Sequence, residues 1–338
     1  MSARWNAVNA RARGLGTHLL RRSDLDALAR APDLSALAAE LARLGFLRPE
    51  EGTGPVAFDL AVRRRAAAAL ATLARWCADR PDVVAVVFED EDRRSLRAMV
   101  RGAAQNAAAD ARLAGLIPTS ALPERALREL ARQPAPSAVA ALLVSWAHPY
   151  GSPLLDVTAG TQPDLFQLEV RLSHTFAERA LAAARRGGQR LVTYVRELID
   201  LENALAAMVL AEQGEDATPK EAFVHGGLRL AIGEFEQAAG TRSPLLAASN
   251  LARAFRGTVA AAFARRGQGG EPGRLERDIL RARIGALRAA VRTDPLGPEP
   301  FLLYALRLRA QVLDLRRIVW GVALGAPRPE LAAELASV

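Results

Sequence analysis

The segment Leu25–Leu41 reads LDALARAPDLSALAAEL, and it recurs 102 residues later at Leu127–Leu143 as LRELARQPAPSAVAALL. Ten of the 17 positions are identical, including Pro32/Pro134 and Ser35/Ser137, so the match is more than shared apolar periodicity. A repeat of this length points to a chain built by duplicating one helical unit. It suggests a scaffold before any chemistry is considered.

A second element repeats in step with the first. It reads DRRSLRAMVRG from Asp92, DLENALAAMVL from Asp200 and DLRRIVWGVAL from Asp314, at intervals of 108 and 114 residues. The N-terminal helix carries a degenerate fourth copy, with Asn6 and Asn9 where the others have Asp92 and Ser95. Three helical repeats follow from this: residues 1–106, 107–216 and 217–338, the last with a closing C-terminal helix. The expected fold is all-α.

Composition agrees. Half the residues are apolar, much of that Ala, while aromatics reach 5 %, which suits close-packed helices better than sheets. Lys220 is the only lysine, so the basic residues are almost all arginine, and the net charge of +8 is compatible with nucleic acid, anionic membrane or an acidic protein. It selects none of them. Cys77 is the single cysteine, which excludes internal disulfides and cysteine-rich metal clusters. No segment approaches the roughly 18 uninterrupted apolar residues of a membrane span, and the opening MSARWNAVNARARG lacks the apolar core of a secretory signal. A soluble, cytoplasmic chain is expected.

Apolar spacing of three and four predicts helices at about 4–21, 24–31, 35–44, 57–78, 83–106, 123–132, 137–147, 163–186, 189–213, 227–239, 244–266, 271–292, 299–324 and 329–336. Ser23 with Asp26, Pro123 as a first-turn proline, and Ser137 after Pro136 read as start signals. Asp82–Phe88 is β-branched enough for a strand, but no second strand pairs with it, so a helix start is preferred.

The search for chemistry finds no catalytic constellation. His18, His148, His174 and His225 are scattered and read as surface or satisfied core residues. The Gly-rich Gly267–Gly273 (GQGGEPG) lacks the Lys-Ser/Thr of a phosphate loop and follows no strand. Cys77, behind Trp76, reads as a core cysteine. Asp92, Asp200 and Asp314 are expected to pair with nearby arginines, and Arg63–Arg65 and Arg185–Arg186 to form solvated faces. No cofactor and no metal site are expected.

Four stretches together resemble one family. VNARARGLGTHLL (Val8–Leu20) is similar to an opening NARVR helix followed by a leucine pair. IDLENALAAMVL keeps an acidic-x-x-Asn-apolar core, Phe223–Gly227 (FVHGG) resembles an apolar-plus-GlyGly turn, and the stretch from Asp294 to Leu331 looks like a closing helix with a Gly-x-Pro end. The chain resembles the C subunits of bacterial and archaeal vacuolar-type rotary ATPases, counterparts of the eukaryotic d subunit. It departs from the pattern at Trp5, where a tyrosine is usual, at Arg93-Arg94-Ser95, where Asn-Leu is typical, and in the loose LIPTSAL turn at Leu116–Leu122.

The resemblance implies an all-helical funnel of three pseudo-equivalent repeats on the cytoplasmic face of the membrane proteolipid ring, receiving the foot of the central D–F stalk. It implies a peripheral, non-catalytic rotor component that transmits torque, with no cofactor, no small-molecule substrate and no nucleic acid. Arg11, Arg13, Arg94, Arg97, Arg316 and Arg317, on equivalent helices, are the partner-interface candidates; the alternative for each is a solvated or salt-bridged arginine. The competing functional reading is an Arg-rich helical-repeat scaffold for nucleic acid, which predicts one-sided arginine clustering. The sequence instead spreads its arginines along the whole chain, mixed with Asp and Glu in most of the predicted helices. An enzyme would need convergent polar residues, and no two belong together.

Overall fold

The computed structural model describes residues 5–48, 52, 54–158, 164–214 and 219–336. The expected repeat boundary near 216 lies outside the described residues.

Among the described residues the chain is all-helical, and the helices recur in one order. After α1 (Asn6–Gly16) come α2 (Arg22–Ala29), α3 (Leu34–Arg43), α4 (Pro55–Trp76) and α5 (Pro81–Ala104). A short α6 (Ala109–Leu113) precedes α7 (Glu124–Ala131), α8 (Pro136–Ser145), α9 (Gly151–Thr158), α10 (Leu165–Gly187) and α11 (Gln189–Gln213). After α12 (Pro219–Ala222) follow α13 (Ile232–Ala239), α14 (Pro244–Leu251), α15 (Gly257–Gly267), α16 (Pro272–Thr293) and α17 (Glu299–Ala323), and α18 (Arg328–Ala333) ends the series.

Each round opens with an eight-residue helix, α2, α7 or α13, whose successor starts 12 residues later, and ends in two helices of 22 to 25 residues. The buried positions repeat as well. Leu25, Leu28 and Ala29 of α2 correspond to Leu127, Leu130 and Ala131 of α7 and to Phe235, Ala238 and Ala239 of α13. Those i, i+3, i+4 positions make one apolar stripe per helix, and each fully buried leucine is worth about 1.5–3 kcal/mol over its exposed state. The third copy escapes a reading by identity. Phe235–Leu251 keeps only Ala239, Ala248 and Leu251 of LDALARAPDLSALAAEL, because burial preserves apolar character and spacing and neither residue type nor size.

Local differences from expectation have local causes. The start of α2 is set by Asp24, which accepts from the Arg21 N–H at 2.9 Å, rather than by Ser23 with Asp26. Pro123 is the N-cap of α7, one residue outside the helix. The helix expected over 244–266 is broken between Leu251 and Gly257, where Gly257 takes φ +58° and Phe255 turns inward to stack on Phe263 at 4.9 Å. The helix expected from 227 starts at Ile232, because the amides of residues 228–230 bond to Asp200. The short helices α6, α9 and α12 lie where apolar spacing predicts none. Asp82–Phe88 lies inside α5.

The helices gather into two compact units. The first joins Met1–Asp79, Ala107–Arg132 and Ile284–Val338. Within it α17 packs against α1, α2, α3, α4 and α18, burying Val312, Leu315, Ile318 and Val319. The second joins Arg80–Asn106 and Gln133–Arg283. Here α5 lies along α10, α10 against α9 and α11, and α11 meets α13 and α14 over a core that includes Ala204, Met208, Phe235, Leu251 and Phe263.

Candidate functional site

One face of α11 holds the loop before α13. Arg196, Asp200 and Asn203 stand at i, i+4 and i+7 and so project together. Asp200 is fully buried and accepts from three successive backbone amides, those of Leu228 (3.0 Å), Arg229 (2.9 Å) and Leu230 (3.2 Å). Asn203 pairs with Val224 as a strand would, donating to its carbonyl at 2.9 Å and accepting from its N–H at 2.8 Å. Arg196 donates to the Gly227 carbonyl at 2.7 Å. A Cβ on Gly227 would lie 2.2 Å from Asp200 Oδ1, so the glycine is what lets the carboxylate reach the amides. Burial pushes the Asp200 carboxyl above its ordinary pKa, against the amides, which favour its charged form. The sequence expectation that Asp200 pairs with an arginine is corrected: backbone N–H groups, left without helical partners ahead of α13, are its main ligands.

The same device recurs in the first unit. Gln311 of α17 accepts from the Leu20 N–H at 2.7 Å, and Leu20 precedes α2 by two residues as Leu230 precedes α13. Asp314, fully buried, accepts from the Ala336 N–H at 2.5 Å and lies 3.7 Å from Arg317. Asn9 donates to the carbonyls of Pro295 (3.1 Å) and Gly297 (2.8 Å).

The centre of α5 carries charge in a place where charge is costly. Glu89, Asp90, Glu91, Asp92 and Arg93 are consecutive and all buried. Arg93, 1 % exposed, lies 2.7 Å from Asp90 and 2.6 Å from Glu202 of α11, with its guanidinium 4.7 Å from the centre of the Phe176 ring. Arg97 donates to Glu202 at 2.8 Å and to Ser173 Oγ at 3.1 Å, Arg94 to Asp90 at 3.0 Å, and Arg101 pairs with Glu169 of α10. Glu89 accepts from the Tyr150 hydroxyl at 3.1 Å and from Arg179. Burial alone would raise Glu202, but Arg93 and Arg97 hold it down at about 2; Asp90 is likewise held well below the carboxylate range, by Arg94 and Arg93 against its burial. The result is a tie between α5, α10 and α11 in which Glu89, Asp90 and Glu202 each have an arginine partner.

In the first unit a cavity of about 270 Å³ is lined by Asp59, Arg63, Glu124 and Arg128 among others. Arg63 is buried, 2.9 Å from Glu124, and donates to the Leu116 carbonyl at 3.1 Å, while Arg65 lies 4.3 Å over the Phe46 ring. Of the expected solvated face at Arg63–Arg65, Arg64 is exposed and Arg65 half-buried, while Arg63 is an internal anchor. Asp59 accepts weakly from the Gly115 N–H at 3.4 Å, and its pKa is raised, first by burial. A carboxyl whose folded pKa is raised binds its proton more tightly folded than unfolded, so it costs stability as pH rises past about 4. Asp59→Asn is accordingly expected to stabilise the chain more at pH 8 than at pH 4. Urea-unfolding midpoints at the two values check this; an equal shift at both would remove Asp59 as the titrating group.

The six candidate arginines are spread over the two units. Arg11 is exposed and donates to the Trp76 carbonyl, Arg13 is exposed and donates to the Pro295 carbonyl at 3.3 Å, and Arg317 donates to the Glu334 backbone carbonyl at 2.6 Å. Arg316 is half-buried, its Cδ 3.0 Å from where a Cβ on Gly115 would lie. Arg94 and Arg97 belong to the α5 network. Sequence reasoning missed Arg196, Asp59, Asp90 and Glu202. For Asp90 the available signal was FEDEDRRS (88–95), a run of charge in the middle of an apolar helix pattern; the other three carry none. No group of three or more His, Cys, Asp or Glu placed to hold a metal ion occurs among the described residues. Cys77 is buried, which raises its thiol pKa.

The two motifs that α11 brings together, Asp200-x-x-Asn203 and the Gly226-Gly227 turn, agree with a match that extends along nearly the whole chain. The family described as ATP synthase (C/AC39) subunit matches residues 8–333 of the 338. The chain belongs to this family. No curated protein matches it. As a member of the C/AC39 family it is a component of a V/A-type ATP synthase complex, in a family whose part there is structural. No helix among the described residues is long and apolar enough to cross a membrane, consistent with a peripheral place in that complex.

Proposed function

We propose that this C/AC39 protein is the non-catalytic socket of the rotor, joining the D–F central stalk to the membrane proteolipid ring on its cytoplasmic face and transmitting torque for proton or sodium translocation. The observation that carries the reading is the thrice-repeated order of short pair and long pair, with α17, the last long helix, packed on the helices that open the first round. A chain of three pseudo-equivalent units, 1–106, 107–216 and 217–338, whose end returns to its beginning suits a funnel. Homologous helix ends would then meet similar ring loops around one circle. Torque transmission requires stiffness, and close-packed Ala-rich helices cross-tied by buried ion pairs allow little internal shear. Arginines near acidic headgroups would add about 1 kcal/mol each, in a salt-sensitive way. The six candidate arginines, with Arg11 and Arg13 the most exposed, remain the proposed contacts to stalk, ring or membrane surface.

The test is a tagged pull-down from detergent-solubilised membranes, with partners identified by mass spectrometry. Recovery of the D and F stalk components and the proteolipid, and their loss in a high-salt wash, is the expected result. Recovery of nucleic acid or soluble enzymes without proteolipid would overturn the assignment.

A further inference from the structure

Positive charge is concentrated in the first helix and the residues around it. Residues 1–23 hold five arginines and no Asp or Glu, the first acid being Asp24, against a net charge of +8 for the whole chain. Within α1, Arg11 and Arg13 are two positions apart and so leave the helix on opposite flanks. Each is held against a backbone carbonyl of a neighbouring element. Arg11 donates to Trp76 at the end of α4, and Arg13 donates at 3.3 Å to Pro295 in the loop between α16 and α17. Those two elements add exposed apolar side chains, Trp76 at 39 % and Leu296 at 42 %. Arg75, beside Trp76, is exposed and donates to the Thr72 hydroxyl at 3.2 Å, and Arg292 is exposed in the last turn of α16. All of these residues belong to the first unit.

We infer that this side of the first unit seats on an anionic phospholipid surface. Among the described residues none of Arg11, Arg13, Arg75 and Arg292 has a carboxylate partner; three of them bond to neutral oxygens. Asp79, Asp294 and Glu299 lie close by in sequence, but each has a partner of its own, and that partner is none of these four arginines. Asp294 also accepts from the Leu296 N–H at 2.9 Å, which fixes the loop that carries Leu296. A protein partner offers charge of both signs, whereas an acid-free stretch of arginines suits a uniformly negative surface. Tryptophan and leucine at a helix end and in a loop, beside arginine, are the side chains that settle at a bilayer interface. The indole lies at headgroup depth, the leucine reaches the acyl boundary, and the guanidinium stays with the phosphates. Each arginine held near such a surface strengthens binding about fivefold at low salt. The inference rests on the rotor reading only for the nearness of a membrane, and it adds the lipid class and the apolar anchors.

Co-sedimentation of the full-length chain with phosphatidylcholine vesicles, with and without phosphatidylglycerol, tests the surface. Binding is expected only with phosphatidylglycerol, and should fall about tenfold or more from low to high salt. Arg11→Gln with Arg13→Gln should weaken it about twentyfold. Arg125→Gln with Arg132→Gln, an exposed pair at α7 in the same unit, removes the same charge and should change binding less than about twofold. Circular dichroism matching the parent shows that each variant folds. Lipids brominated near the headgroup should quench Trp76, read as the fluorescence difference between the parent and Trp76→Phe. Equal binding to uncharged vesicles, equal loss in the two arginine pairs, or an unquenched Trp76 would overturn the proposal. Absence of vesicle binding would overturn it too, and capture of polyglutamate in that case would assign the patch to an acidic protein. The vesicles hold no stalk or ring component, so this surface and the rotor assignment stand or fall separately.

Discussion

Arg93→Ala is expected to lower the unfolding free energy by about 3–5 kcal/mol, because it leaves two buried carboxylates short of their closest counter-charge. Asp90 keeps Arg94 and Glu202 keeps Arg97, but Arg93 is the residue that bridges the two, and it is the most deeply buried of the three arginines. The acid response should change with it. Glu202, near 2, and Asp90, lower still, are depressed from unfolded values of about 4. Carboxyls depressed in this way contribute stability that is fully present above about pH 5 and is lost as pH falls toward 2. Removing Arg93 lets both rise, so the variant should lose less on going from pH 7 to pH 3 than the parent. Arg93→Met with Glu202→Gln, which replaces charge by comparable volume, should recover much of the loss at pH 7. Urea unfolding at the two pH values reads these effects, and hydrogen exchange over residues 81–104 localises them. A cost under 1 kcal/mol together with an unchanged acid slope would mean the network does not tie α5 to α11.

Most of the fold was legible because its signals are periodic. The apolar stripe of each long helix, the prolines at the first positions of α4, α5 and α8, and the Leu25–Leu41 duplication all act within one helix or one helical pair. What was not legible depends on side chains meeting across the chain. Asp200 and Gly227 are 27 residues apart, and nothing local says that one supplies a carboxylate and the other the room for it. Phe255 breaks the helix expected over 244–266 because its ring has a stacking partner at Phe263. The arginines were hardest to read. Arg63, Arg93 and Arg186 look alike in sequence, yet the first two are buried ion-pair partners and the third is exposed beside Asp82 at 2.6 Å. Helical spacing reveals which face a residue occupies, and burial of charge is decided by whether the facing helix supplies a carboxylate.

That dependence makes the α11 anchor a sharp test of the architecture. Asp200→Ala is expected to cost about 2–4 kcal/mol, since three amides ahead of α13 lose their acceptor and the Leu230 N–H is buried. Gly227→Ala should cost about 1–3 kcal/mol, because its Cβ would sit 2.2 Å from Asp200 Oδ1 and 3.2 Å from Cγ and must drive the carboxylate away. The two costs should not add. Once the carboxylate is gone, the methyl group occupies the space it left, and Gly227→Ala in the Asp200→Ala background should be nearly neutral. It could even gain about 0.4–1 kcal/mol from the stiffer unfolded chain. A double-mutant cycle should therefore give a coupling of about 1–3 kcal/mol, within the range for residues in contact. Amide exchange at Leu228, Arg229 and Leu230 should accelerate in each single variant while that of α10 stays near the parent rate. Additive costs in the cycle would show that Gly227 is required by something other than Asp200. In that case the paired motifs of α11 and the Gly-Gly turn would need separate explanations, and the hold of α11 on α13 would rest on apolar packing alone.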